Sequence, residues 1–337
     1  MRAMLFLPAL AAFLASLACL AVLLSPVGKK LMLDRPNARS LHAQAVPRSG
    51  GMAIAAGVAA CAVASGVAAL QGVGAILAIA AALAAVCLAD DVFTLPALVR
   101  LAAHFAAAAA ALSLAIGIAE PALFLVLLLA IAWYANLYNF MDGADGLAGG
   151  MTVLGFGAYA WVAQQAGHGA LATASAGIAA ATLAFLLVNF HPARLFMGDV
   201  GSVPLGFLAG ALGVLGWHDG VWPLWFPVLV FAPFVCDATL TLVKRLLRRE
   251  RVWTAHKDHY YQRLVRMGFG HRATAWIEYA AMAGCAATAL LFRAADPGAQ
   301  AGALGAAALV LIAIAAWIDI RWSRWSRTRR DSRGAAA

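Results

Sequence analysis

Residues 121–150 read PALFLVLLLAIAWYANLYNFMDGADGLAGG, and the two halves of this stretch make opposite physical demands. The first half is an apolar run close to the ~20 residues that a helix needs to cross a hydrocarbon layer of about 30 Å. The second half sets Asn136, Asn139, Asp142 and Asp145 at successive steps of three, which a continuing helix would gather near one edge at the mouth of the span. A carboxylate at the centre of a membrane helix costs about 2.5–3.5 kcal/mol even on the lenient scale, so acids kept at a span's end point to function. Oxygen-rich clusters of this sort suit magnesium, which takes one or two carboxylates together with phosphate oxygens of a substrate.

The same pattern recurs along the chain. Of its 337 residues 64% are hydrophobic and 12% charged, with a mean hydropathy of +0.85, against roughly 45–50% apolar residues in a soluble domain. A soluble enzyme is excluded, and the fold class is all-α, a polytopic integral membrane protein. Apolar runs near 4–24, 50–70, 73–89, 98–118, 122–139, 147–164, 170–188, 202–216, 222–243, 273–292 and 301–320 predict about eleven spans. The first is read as a retained span, because it is long for a signal peptide and is followed by Lys29 and Lys30. Of the 24 Lys and Arg residues, 22 fall in segments that alternation places on one side, counting Arg100 at the edge of its span, leaving Arg2 and Arg293 opposite. Because positive loops stay cytoplasmic, this predicts a periplasmic N-terminus and a cytoplasmic C-terminus. The expected organisation is one transmembrane domain over residues 1–320, with cytoplasmic loops 25–49, 90–97, 140–146, 189–201 and 244–272, and a basic cytoplasmic tail over 321–337. The net charge of +9 is thus a topology signal and not a nucleic-acid footprint. Five scattered cysteines imply neither a disulfide framework nor a zinc site.

Four further clusters lie on the same side. Asp90 and Asp91 end the third span in LADDVFTLP; adjacent carboxylates repel unless a cation or a shared proton relieves them. Asp199 sits between glycines in FMGDVGS just before the eighth span, where a helix N-terminus favours phosphate, although the same acid could be a helix cap. The segment His256-Lys-Asp-His259-Tyr-Tyr-Gln-Arg263 lies in an Arg-rich loop suited to a diphosphate and a flat or sugar ring. Arg48 stands in a basic, Gly-bearing turn, PRSGG, entering the second span. Asp237, about two turns inside the ninth span, either pairs with Lys244 or Arg245 or lines a cavity, and His104 reads as structural.

DDVFTLP, NLYNFMDGADGLAGG, FMGDVGSVPLGFLAG and HKDHYYQR, in this order, resemble the signature blocks of the polyprenyl-phosphate N-acetylhexosamine-1-phosphate transferases, the membrane superfamily of WecA-type enzymes and the MraY translocase. The resemblance runs from about Arg35 to Arg272. It implies transfer of a sugar 1-phosphate from a UDP-N-acetylhexosamine to undecaprenyl phosphate, with release of UMP, at a site facing the cytoplasm of a bacterial inner membrane. It implies Asp90, Asp91, Asp142 and Asp145 as catalytic-centre carboxylates, and a metal site at Asp199 with Asn139, holding magnesium or alternatively manganese. Arg48, Asn136, Asn139, His256, His259 and Arg263 are implied on the substrates. The partners implied are the lipid acceptor, the UDP-sugar and the bilayer, with no nucleic acid; a homodimer is compatible with the pattern. Val92-Phe93-Thr94 follow the paired acids where MraY-like members carry a lysine, and Lys257 and Asp258 separate histidines that are adjacent in many WecA-like members. Both departures point away from a muramoyl-pentapeptide donor and toward an enzyme initiating O-antigen, capsule or a related envelope polysaccharide.

Two other classes fit less well. A transporter predicts acids spread through the membrane depth, whereas these gather at one face. A CDP-alcohol phosphotransferase would need Ala-Arg and further acids after Asp145-Gly146, and they are missing.

Overall fold

The computed structural model describes residues 2–28, 33–34, 46–67, 72–252, 254 and 256–334. The architecture is all-α, apart from a two-residue antiparallel ladder pairing Leu33–Asp34 with Val46–Pro47. Its helices are α1 (Arg2–Leu23), α2 (Gly50–Ser65), α3 (Val73–Phe93), α4 (Ala97–Ala110), α5 (Pro121–Met141), α6 (Leu147–Gln165), α7 (Gly169–Asn189), α8 (Asp199–His218), α9 (Trp225–Val230), α10 (Ala232–Leu247), α11 (Tyr260–Leu264), α12 (Gly270–Phe292) and α13 (Pro297–Gly334). Each expected span overlaps one of these helices; the fourth is completed by a π-helical stretch, Ala111–Ile116, that continues α4, and the ninth falls on the α9–α10 pair, which breaks at Phe231. Eight segments are long and apolar enough to cross a membrane among the described residues; α2 is apolar but shorter. The protein is therefore a multi-pass membrane protein.

Two boundaries differ from the sequence reading. The expected basic tail from residue 321 is not a separate coil: α13 runs unbroken through Gly334. Its 38 residues extend about 57 Å at 1.5 Å per residue, well beyond a ~30 Å hydrocarbon layer. Two arginines in its C-terminal part lie over aromatic rings one turn earlier, Arg321 on Trp317 at 5.0 Å and Arg329 on Trp325 at 4.6 Å. The other shift is at α8, which begins at Asp199 and so places that acid in its first turn.

Helix α8 is the axis of the molecule. Almost all of it is buried, between α5 on one side and α3 on the other, while α1, α2, α6 and α7 pack as a second layer. The entry into α2 is laced to the segment preceding α8: Phe196 N–H donates to Pro47 O (2.8 Å), Gly50 N–H to Phe196 O (2.9 Å) and Gly51 N–H to Met197 O (2.8 Å). A Cβ on Gly51 would stand 2.3 Å from the backbone N of Gly201, a contact that no side-chain rotation relieves. Gly51→Ala is therefore expected to shift the start of α8 and to lower thermal stability by about 1–3 kcal/mol or more. Gly157→Ala, whose Cβ would meet nothing within 4 Å, should stay within about 1 kcal/mol of wild type. Parallel melting curves of the two variants in detergent check this pair.

Candidate active site

At one end of the bundle, the ends of α3, α5 and α7, the starts of α4, α8 and α11, and the segment between α10 and α11 surround a cleft of about 590 Å³, within the usual range for a small-molecule site. Arg48, Asp90, Asn136, Asn139, Asp142, Asp199, His256 and His259 line it, together with Arg100 and His104 of α4. Asp91, Asp145 and Arg263 do not.

The paired acids at the end of α3 point apart. Thr94 closes the helix in the left-handed region (φ 53°) and donates to Asp90 O at 2.8 Å, while Leu95 N–H donates to Asp90 Oδ1 at 2.7 Å. This leaves Asp90 Oδ2 for Arg100 Nη1 at 3.3 Å. Asp91 is buried and meets a different guanidinium, with Arg48 Nη2 3.3 Å from its Oδ1. The repulsion foreseen for adjacent carboxylates is thus relieved by two separate arginines, and these fix Arg48 and Arg100 at the cleft wall.

Arg100 also reaches toward Asp199, with Nη1 3.9 Å from Oδ2. The other oxygen, Oδ1, accepts from Asn139 Nδ2 at 2.8 Å, and Asn139 Nδ2 also donates to Ser202 Oγ at 3.2 Å. Asn139 thereby holds Asp199 in place and turns its amide nitrogen, not its oxygen, to the acid. Gly198, at φ 73°, makes the turn that delivers Asp199 to the first turn of α8. Asp142 caps the end of α5. Burial, and next the negative charge of Asp199, push its carboxyl well above the ordinary carboxylate range.

Asp145 leaves this edge because α5 stops at Met141 and the threefold step stops with it. Its carboxylate is buried behind the cleft, with His191 Nδ1 2.6 Å from Oδ2 and His271 Nδ1 3.3 Å from Oδ1. Burial opposes its ionisation, but hydrogen bonds from His271 and His191, aided by Ala193 N–H, outweigh it and hold Asp145 down at about 2.

On the opposite wall, His259 caps α11 and stacks on His256 with ring centroids 4.9 Å apart. Burial, with the positive charge of His259 and Arg245 adding to it, lowers His256 to about 4, so its imidazole is neutral at pH 7. His259 Nδ1 lies 3.0 Å from Asp237 Oδ1. Asp237 thus neither pairs with Lys244 or Arg245 nor lines this cleft; it organises the histidine segment from beneath. Arg245 binds Glu250 (2.9 Å) and Asp258 instead. Arg263 is buried against Asp319 of α13 at 2.8 Å and ties that helix to α11, away from the cleft.

Sequence reasoning passed over Arg100 and read His104 as structural, whereas both line the cleft. Arg100 counted there as a charge at the edge of a span, and its one-turn spacing from His104 was the available signal that both face the cleft.

Among the described residues, a membrane-embedded helical bundle with a cleft that gathers acids, arginines and histidines has the features of enzymes that act on anionic substrates. The sequence comparisons agree with this class. The model of glycosyl transferase family 4 matches residues 73–217. The chain is 30% identical to a decaprenyl-phosphate N-acetylglucosaminephosphotransferase of Mycolicibacterium smegmatis, covering 83% of this chain and 80% of that one. It is 29% identical to a probable undecaprenyl-phosphate N-acetylglucosaminyl 1-phosphate transferase of Bacillus subtilis, covering 80% of each. A phospho-N-acetylmuramoyl-pentapeptide-transferase of Symbiobacterium thermophilum shares 41% over only 31% of each chain. The protein belongs to glycosyl transferase family 4, the polyprenyl-phosphate N-acetylhexosamine-1-phosphate transferase superfamily.

Proposed function

We propose that the protein transfers N-acetylglucosamine 1-phosphate from UDP-N-acetylglucosamine to undecaprenyl phosphate, releasing UMP, as the first step of an O-antigen, capsule or related envelope polysaccharide. The observation that carries the reading is the meeting of Asp90, Asp142 and Asp199 with Arg48, Arg100 and three histidines in one cleft. Relatives named for N-acetylglucosamine align over about four fifths of the chain, whereas the muramoyl-pentapeptide relative aligns over about one third. That difference favours the smaller donor. The strongly one-sided Lys and Arg distribution supports a cleft opening to the cytoplasm of a bacterial inner membrane.

The donor set suits a hard divalent cation. Asp199 and Asp142 are close enough for one to raise the other's pKa, and a cation between oxygen ligands removes that penalty. Asp199 would hold magnesium, or manganese, with Asp142 beside it and Asn139 turned over or supporting from behind. Such an ion supplies charge neutralisation for the diphosphate. Arg100 and Arg48, fixed by Asp90 and Asp91, are placed to take phosphate oxygens, and the His256–His259 stack offers a flat polar wall. A lipid phosphate oxygen, already anionic near neutral pH, attacks the sugar-bearing phosphorus; the bond from that phosphorus to the UMP oxygen breaks and UMP leaves. Positioning and charge neutralisation carry such transfers, so Asp90 and Asp91 need act only by orienting the arginines.

Purified protein in detergent, given undecaprenyl phosphate and a panel of UDP-sugars with and without EDTA, tests this. UMP release that requires lipid and divalent cation and is greatest with UDP-N-acetylglucosamine is the expected result. A folded preparation that releases UMP from none of the donors overturns the reading.

A further inference from the structure

Topology asks only that arginines lie on one side of a membrane. At the end of the bundle that holds the cleft, α10 and α13 carry more than that. The two helices run side by side in one direction: Lys244 of α10 pairs with Asp319 of α13, and about a turn earlier Leu240 and Ile314 share one apolar cluster. Past this level α10 runs on to Leu247 and is followed by Arg248 and Arg249, while α13 continues through Arg321 and Arg324. All four arginines are exposed. The acids nearby are already taken, Asp319 by Lys244 and Arg263, and Glu250 and Asp258 by Arg245. The four arginines therefore have no carboxylate partner among the described residues.

Arg249 follows α10 in the left-handed region, at φ 58°, where glycine is favoured. An arginine at such a position carries a backbone cost, and strained positions of this kind mark functional segments. Just before it, Leu246 and Leu247 are 65% and 78% exposed. A free phosphate or an acidic soluble protein would meet the arginines and leave these leucines in water. A phospholipid meets both, with its phosphate on guanidinium groups and an acyl chain along the leucines. Arg321 is preset for such a contact. Its guanidinium lies over the rings of Trp317 at 5.0 Å and Phe269 at 5.9 Å, which occupies the planar face and leaves the N–H edge for phosphate oxygens.

We propose that the joined ends of α10 and α13 bind the headgroup of an anionic phospholipid through Arg248, Arg249, Arg321 and Arg324, apart from the cleft and independently of the transfer reaction. The lipid clamps the two helices beyond the Lys244–Asp319 pair, and Asp319 in turn holds Arg263 of α11. Occupancy stabilises the seam on which α11, the helix that His259 caps, is hung.

The test places full-length protein in nanodiscs of phosphatidylcholine alone or with phosphatidylglycerol added and follows its melting, while native mass spectrometry of the detergent-solubilised protein counts retained phosphatidylglycerol. Wild type should retain this lipid and melt higher in its presence, and the gain should shrink in high salt. Arg321→Gln/Arg324→Gln should weaken retention by roughly 25-fold, about fivefold for each arginine near an anionic headgroup. Arg249→Gly is the sharper variant because glycine suits the backbone there: in phosphatidylcholine it should melt at least as high as wild type, yet lose part of the gain from phosphatidylglycerol. An arginine with a merely structural role would not divide the two readouts in this way. Wild-type protein that melts alike in both discs overturns the proposal. A gain that both variants keep in full seats the lipid elsewhere and overturns it equally. So does a gain that inorganic phosphate reproduces in phosphatidylcholine discs, or retained phosphatidylglycerol that undecaprenyl phosphate displaces, since the first makes the patch a simple anion site and the second makes it part of the cleft.

Discussion

Asp199→Asn should reduce UMP release by roughly a hundred- to a thousand-fold or more, the usual cost of removing a preorganised electrostatic group from a charged transition state, while the protein melts near the wild-type temperature. The two halves of this expectation rest on different contacts. Stability changes little because the partners of Asp199 are weak: Arg100 stands 3.9 Å away with both side chains about a third or more exposed, and such pairs contribute about 0–1 kcal/mol. The substituted amide can still accept from Asn139 Nδ2. Activity collapses because the amide has no charge to hold a cation or to balance the arginines around a diphosphate. The change should appear in kcat with added magnesium unable to restore it, measured as initial rates across a magnesium titration. Turnover within a few-fold of wild type would remove Asp199 from the metal position, and with it the mechanism drawn above.

How far such a site can be read without coordinates depends on how local its geometry is. Asn139, Asp142 and Asp199 were legible because each sits at the end of an apolar run, where the cost of burying an acid leaves function as the ready explanation. The span limits were legible for the same reason: length and polarity fix them, although the break at Phe231 and the continuation of α13 to Gly334 left no mark in the apolar pattern. Asp145 shows where periodicity ends. Its spacing from Asp142 is helical in sequence, but the helix has already stopped at Met141, and the residue is claimed by two histidines, 46 and 126 positions downstream. No local pattern can report such partners. Arg263 is a similar case, since its partner Asp319 belongs to a helix 56 residues away. Arg100 was hidden differently: a basic residue at a cytoplasmic edge is what topology requires anyway, so its bond to Asp90 had no separate signature.

Asp237→Ala should give the second large effect, a loss of both stability and turnover, although Asp237 does not line the cleft. The carboxylate is buried and accepts four hydrogen bonds: from Tyr260 N–H and Tyr261 N–H at 3.0 Å each, from Thr241 Oγ1 at 3.1 Å and from the His259 ring at 3.0 Å. The two backbone donors open α11, so Asp237 is the acceptor that lets this short helix begin against α10. Alanine leaves them buried without a partner at about 1–3 kcal/mol each, and it frees His259 to turn away from His256. Expected results are a melting temperature lower by several degrees and a kcat lower by roughly ten- to a hundred-fold. A purely structural role would also lower the melting temperature, so the deciding measurement is the double variant Asp237→Ala/His259→Ala. If Asp237 acts on turnover by aiming His259, the double variant is no slower than His259→Ala alone, because contacting residues of one network are not additive. Multiplied losses in kcat would instead show that Asp237 serves turnover by another route, and His259 would no longer be the means by which the buried acid reaches the cleft.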